Sequence, residues 1–324
     1  MKFKGKNMRF ETVNPAIKPR SLKSRAAALI LCLLSLGLVP RPAFPSEIAA
    51  LLSDDTEAYK TVLSEFKRSL AKERITEFNM KGDLEIGRKI IAQIKALNPS
   101  ILLTIGAKAS EIAAKQAGDI PMIYCMVFNP FELGLRNDNQ TGVLMVSSPD
   151  SQFAAFKSIM PALKRLGVVY NPQKTLPLIE AAKSVLARSD LEIIERHVSS
   201  SGEIAQNLKE IIPQVNALWL IPDTTVVSRD TFVYILQRTV DQKVPIFAFS
   251  EGLVKSGALA SFSPDYSEIG KESARLAEKI LNGASPKSLP PVYPKGDLYL
   301  NLNTAQTLGV KISPDIIRKA QKIY

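Results

Sequence analysis

The side chains best suited to chemistry stand immediately after apolar runs. Ser53 and Asp54 follow Ile48–Leu52, Gly106, Ala107 and Lys108 follow Ile101–Ile105, and Asn129 and Pro130 close the run from Met122. The arrangement recurs with Asn171 after Leu166–Tyr170, with Asp223, Thr224 and Thr225 after Ala217–Ile221, and with Ser250 and Glu251 after Pro245–Phe249. If each run is a strand followed by a helix, these groups sit at strand carboxyl ends, where open α/β sheets bind ligands. Backbone N–H groups and the helix dipole favour anions at such places. The chemistry on offer is capture of a small polar solute. Other roles stay open at single positions. Gly106 equally suits a tight strand-to-helix turn, and Asp54, Asp223 or the threonine pair suits a helix N-cap. Asn171-Pro172 suits a plain turn, and Glu251 a solvated loop charge. For Asp223 the apolar run before it favours a ligand role.

Signatures of turnover are missing from the sequence. His197 is the single histidine and lies among Glu192, Glu195 and Arg196, which reads as surface. One histidine cannot build a histidine-rich metal site, and no close Cys/His pair exists. The segment Thr104–Ser110 (TIGAKAS) has Ala107-Lys108 where a phosphate loop needs Gly-Lys, and it lacks the earlier glycine. No G-x-S-x-G elbow occurs. Cys125 lies in an apolar run and reads as a buried, inert thiol. The sequence therefore predicts no enzyme, no cofactor and no metal.

The elements that must position these groups alternate between strand and helix. Tyr59, Val62, Leu63, Phe66 and Leu70 recur at helical spacing, as do Ile90, Ile91, Ile94 and Leu97. Later helices are read from Ser148-Pro149-Asp150 onward, from Asn171-Pro172 to about residue 188, around Ile204–Ile212, and over about 229–242. Several strands are continuously apolar, as expected for parallel strands covered on both faces. Two successive sets of strand–helix units in 324 residues predict an α/β protein of two doubly wound parallel-sheet lobes with a ligand cleft between them.

Charge carries a different message. The chain has a net charge of +11, but residues 1–46 hold nine cations against Glu11 alone. The rest is nearly balanced, which argues against a nucleic-acid partner. Ala26–Val39 is apolar apart from Ser35 and Gly37, and it follows the basic stretch. A run this short suits a signal-peptide core better than a bilayer span. Residues 1–46 are expected to be a signal peptide and the protein to work in the periplasm.

Longer segments resemble a known family. They are ILLTIGAKAS (101–110), IPMIYCMVFNP (120–130), NQTGV (139–143), LKRLGVVYNP (163–172), ALWLIPDTTV (217–226), VPIFAFSEGLVKSGALASFSPDYSEIG (244–270), KILNGASP (279–286) and NLNTAQTLGVKISP (301–314). The chain resembles the substrate-binding proteins of ABC transporters within the type I periplasmic-binding-protein superfamily, the group that includes tryptophan- and tyrosine-binding members. The resemblance implies two lobes joined by crossovers and delivery of a small-molecule ligand to an ABC permease in the inner membrane. It implies that Gly106-Ala107, Asp223, Thr225 and the loop at Ser250 face the cleft. The chain departs from the family in having Gly106-Ala107 for Gly-Thr, Asn129-Pro130 for Asp-Pro, and Asp223-Thr224-Thr225 for Asp-Asn-Thr. The expected lobes are 47–143 plus 253–285 and 144–252 plus 286–324, in a monomer. An amino-acid-like ligand would set its carboxylate on the N–H groups at Gly106–Lys108 and its ammonium on Asp223, with Glu251 as second choice. The alternative is a binding protein that signals through a membrane partner without transport.

Overall fold

The protein is described by a computed structural model, which covers residues 47–135, 137–187 and 189–324. The expected signal peptide, 1–46, lies outside the described residues.

The first lobe is built by alternation. Strand β1 (Glu47–Leu52) is followed by helix α1 (Glu57–Ser69), β2 (Arg74–Asn79), α2 (Leu84–Leu97), β3 (Ile101–Ile105), α3 (Ala107–Gln116), β4 (Met122–Cys125) and β5 (Gln140–Gly142). These strands form one parallel sheet in the order β2-β1-β3-β4-β5. All five residues of β3 are buried because both its faces are covered. Val62, Phe66 and Ile269 pack on one face, and Ile91, Ile94 and Ala109 on the other. Local signals bound the helices. Thr56 Oγ1 accepts from Tyr59 N at the start of α1, and Asp83 Oδ1 accepts from Glu85 N at the start of α2. Asn98, with φ of 48°, ends α2 in the left-handed conformation.

The second lobe repeats the plan with α4 (Pro149–Ile159), β6 (Arg165–Tyr170), α5 (Pro172–Leu186), β7 (Glu192–His197), α6 (Ile204–Ile211), β8 (Ala217–Trp219), α7 (Arg229–Asp241), β9 (Ile246–Ala248), α8 (Glu251–Lys255) and β10 (Ala260–Ser263). The chain then crosses to helix α9 (Tyr266–Leu281) and returns for β11 (Asp297–Leu300), α10 (Leu302–Leu308), α11 (Pro314–Lys319) and β12 (Lys322–Ile323). The second sheet runs β12-β11-β10-β9-β8-β6-β7. Its β10–β11 pair is antiparallel, the one such pairing among the described residues. Phe156 stacks on Phe247 with centroids 4.1 Å apart, and Trp219 Nε1 donates to Gln152 Oε1 at 3.3 Å. The buried indole thus keeps a partner for its N–H.

Helix α9 belongs to the first lobe although it follows β10. Ile269, Ala274 and Ala277 join the core formed by Val62 and Phe66 of α1. Gly270 permits this approach, since a Cβ there would lie 2.5 Å from the Val62 carbonyl oxygen. The segment leaving β5 and the segment leading from α9 to β11 run side by side, with Leu144 N donating to Val292 O and Val292 N to Gly142 O, both at 2.9 Å.

Two lobe boundaries differ from the expectation. Leu289 and Val292, expected in the second lobe, pack on the first-lobe core, and Thr141 Oγ1 donates to Leu289 O at 2.8 Å. The span 253–263 was assigned to the first lobe, yet β10 pairs in register with β9 and β11 of the second sheet. The crossover lies after Ser263. The segment Gly257–Ser263 (GALASFS) is rich in small residues, so it lacks the apolar run that marks the other strands.

Candidate functional site

The first-lobe wall begins where β1 and β3 end. Ser53 is buried, and its Oγ accepts Ala109 N at 2.8 Å, so a residue after one strand caps the helix that follows another. Gly106 precedes α3 with φ of +99°, a conformation that L side chains rarely adopt. A Cβ there would lie 2.5 Å from Ser53 Oγ and 2.6 Å from Tyr59 Oη. Glycine therefore lets the serine and the phenol close around the helix start. The N–H groups of Ala107 and Lys108 have no partner among the described residues, and both residues are exposed. Lys108 Nζ donates to Gly82 O at 2.7 Å. Asp54 is exposed, and Thr56 rather than Asp54 caps α1. Burial, then the Asp54 charge, pushes the Tyr59 phenol above its ordinary value.

Beyond β4, Met126 takes a φ of 58° and turns the chain into the loop carrying Phe128, Asn129 and Pro130. Asn129 and Pro130 are buried. Asn129 Nδ2 donates to the Lys174 carbonyl of the second lobe at 2.6 Å. Phe128 meets Phe249 edge to face at 5.3 Å, and Lys174 Nζ lies 3.5 Å from Glu132 Oε1. One loop of the first lobe thus meets the second at three places.

The second-lobe wall is organised around Asp223, which is 1% exposed. Its Oδ2 accepts Asn171 N and the Thr175 hydroxyl, both at 2.7 Å, and its Oδ1 accepts Thr225 N at 2.8 Å. Asn171 caps α5 through Gln173 N at 3.0 Å and donates Nδ2 to Thr225 Oγ1 at 3.1 Å. Lys174 Nζ donates to Thr224 Oγ1 at 2.5 Å. The Asn171 and Asp223–Thr225 groups are therefore bonded to one another within the lobe. At the start of α8, Glu251 Oε1 accepts Lys322 Nζ at 2.8 Å and the Tyr324 hydroxyl. Lys322 first, then Tyr324, holds the Glu251 carboxyl below its ordinary range.

A cavity of about 440 Å³ lies between the lobes. Phe128, Met145 and Tyr266 line it from the first lobe, and Phe249, Ser250, Glu251, Tyr299 and Tyr324 from the second. A larger groove of about 800 Å³ runs between α6 and α7, away from the strand carboxyl ends. Of the residues read from the sequence, Ser53 and Gly106–Lys108 form one group, Asn129 reaches across to Lys174, Asn171 and Asp223–Thr225 form a second group, and Ser250 with Glu251 borders the cavity. The sequence did not single out Lys174, Tyr266, Tyr299, Lys322 or Tyr324. Lys174 carried a usable signal, standing in the first turn after the Asn171 cap. Tyr59 was read as part of the α1 apolar stripe, and its helix-start position was the clue to a second role.

Cys125 is fully buried. Burial pushes its thiol up to about 12, and its Sγ donates to Thr104 O at 3.5 Å. The sequence has one other cysteine, Cys32, within the apolar run of the expected signal peptide. With Cys32→Ser, Cys125 should not react with a thiol reagent at about pH 8 until the protein unfolds, because only the thiolate attacks. Rapid labelling of the folded protein would show that this strand end opens.

Comparison with known proteins fits this architecture. A tyrosine-binding protein of Clostridioides difficile is 26% identical over 250 residues, covering 74% of this chain and 72% of that protein. The crystal structure of an ABC domain from Streptococcus pneumoniae in complex with L-Trp is 23% identical with a TM-score of 0.61, covering 86% of this chain and all of that one. The ligand-free, open structure of a Clostridium difficile substrate-binding protein with adhesive properties is 21% identical with a TM-score of 0.67, covering 86% of this chain and 98% of that one. At these identities the two structures speak for the fold. The family model described as ABC transporter substrate binding protein matches residues 48–324, and the chain belongs to that family.

Proposed function

We propose that this chain is an exported capture protein of an ABC importer, that it works in the periplasm as a monomer, and that it closes its lobes on an amino acid, with aromatic amino acids the first choice. The observation that carries this reading is the start of α3. Two uncommitted N–H groups stand there behind Gly106, at the carboxyl end of β3. Such a seat suits a carboxylate. The aromatic lining of the cavity between the lobes suits an aromatic side chain. The tyrosine-binding relative and the neighbour solved with L-Trp support the same ligand class. Loading would be followed by docking of the closed form on a permease of the inner membrane, which needs nothing of the protein beyond recognition and closure.

Calorimetry with L-tyrosine and L-tryptophan is the test. A dissociation constant of about 10 µM or tighter is expected for at least one, which corresponds to roughly −7 kcal/mol. A saturating ligand should also raise the melting temperature. If neither these two nor any other common amino acid shifts the melt, the reading is overturned.

A further inference from the structure

We infer that Glu251 holds the ammonium of the ligand and that Tyr324 is its positioning residue, which makes strand β12 and the residue after it part of the binding site. The inference rests on the amino-acid reading above. An ammonium in a closed cleft needs a carboxylate with a free oxygen, because an unpaired buried charge is costly. Asp223 does not offer one readily, since both its oxygens already accept hydrogen bonds within the lobe. Two carboxylates border the cavity between the lobes, Glu251 and Asp265. Asp265 also has an oxygen, Oδ2, without a partner among the described residues, but it caps α9, its Oδ1 accepting Glu268 N at 2.7 Å, and its charge already offsets the positive end of that 16-residue helix. Glu251 has no such long helix to serve. Both of its hydrogen bonds, from Lys322 and Tyr324, end on Oε1, and Oε2 has no partner among the described residues.

Tyr324 is placed firmly. Its N–H donates to Leu300 O at 2.9 Å, and its carbonyl accepts Leu302 N at 2.8 Å. The phenol thus approaches Glu251 from a backbone anchored on β11, and its hydroxyl fixes the carboxylate without adding charge. Lys322 acts in the opposite sense. Its side chain is 57% exposed, and it brings a second cation to the same carboxylate. A ligand ammonium at Oε2 would be repelled by it, so Lys322 weakens the hold on an amine and sets the charge that the ligand must overcome.

The experiment uses the full protein and whichever of L-tyrosine and L-tryptophan it binds, paired with the matching des-amino acid, 3-(4-hydroxyphenyl)propionate or indole-3-propionate. The readout is the ratio of the two affinities, which a loss of fold alone does not move selectively. The parent should prefer the amino acid by at least about tenfold. Glu251→Gln should bring the ratio close to one while the des-amino acid keeps its affinity within about twofold. Tyr324→Phe should lower the ratio by about threefold, and Lys322→Met should raise it. An unchanged ratio in Glu251→Gln overturns the inference and leaves the amino-acid reading standing. So does a Lys322→Met protein that loses affinity for both compounds, since Lys322 would then hold the carboxylate end of the ligand. If Glu251→Gln does not fold, Tyr324→Phe and Lys322→Met decide by their opposite signs. A parent that binds neither the amino acids nor their des-amino partners overturns the amino-acid reading itself, and the inference with it.

Discussion

Replacing Asp223 with alanine should destabilise the protein by about 2–4 kcal/mol, because two backbone donors lose their acceptor in a place water cannot readily fill and the Thr175 hydroxyl falls back on the Asn171 carbonyl at 3.2 Å. The backbone donors are Asn171 N and Thr225 N, and the Thr175 hydroxyl joins them around a carboxylate that is 1% exposed. They tie the end of β6 and the first turn of α5 to the loop after β8. Asparagine should be nearly as harmful as alanine. Both oxygens are acceptors in the folded protein, so whichever position the amide nitrogen takes, its hydrogens meet a donor. Thermal unfolding followed by circular dichroism should show both variants melting several degrees below the parent. Affinity should fall as well, because Thr224 and Thr225 lose their anchor. A variant that melts within about a degree of the parent would show that water replaces the carboxylate at little cost.

The fate of Asp223 shows what the sequence could and could not convey. A carboxylate closing a run of Ala-Leu-Trp-Leu-Ile announces a buried acceptor at a strand end. Whether its donors are a ligand or the lobe itself depends on Asn171 and Thr175, about 50 residues earlier, and on sheet order that pairs β6 with β8. The continuous apolar runs of β1, β3 and β6 made the parallel, doubly covered sheets legible, because helices on both faces leave no polar side. Strand β10 was missed for the converse reason. Its alanine and serines fill a narrow layer beneath α4 without an apolar signature. Helix α9 was legible in principle, since Ile269, Leu276, Ile280 and Leu281 recur at helical spacing, but Gly270, Ser273, Ala274 and Ala277 thin that stripe where α9 lies close against α1. The tail was least legible of all. Nothing local to Lys322 or Tyr324 indicates that β12 pairs with β11 and brings both side chains to Glu251.

Gly106→Ala should have the largest effect on ligand capture. The native φ of +99° alone costs an alanine about 1–2 kcal/mol. The new Cβ would also stand 2.5 Å from Ser53 Oγ and 2.6 Å from Tyr59 Oη. Tyr59 is half-buried and can retreat. Ser53 cannot without releasing Ala109 N, to which its hydroxyl is bonded at 2.8 Å. The expected loss of stability is about 2–3 kcal/mol, read from the thermal melt. Affinity should fall by more than about tenfold, because the start of α3 must shift and carry the Ala107 and Lys108 N–H groups off their mark. Adding Ser53→Ala to the variant separates the two causes. Alone, Ser53→Ala removes a helix cap worth about 1 kcal/mol. In the double variant it also removes the nearer clash, so the combined destabilisation should be smaller than the sum by about 1 kcal/mol. Strict additivity would mean that backbone strain, and not the contact with Ser53, is what reserves this position for glycine.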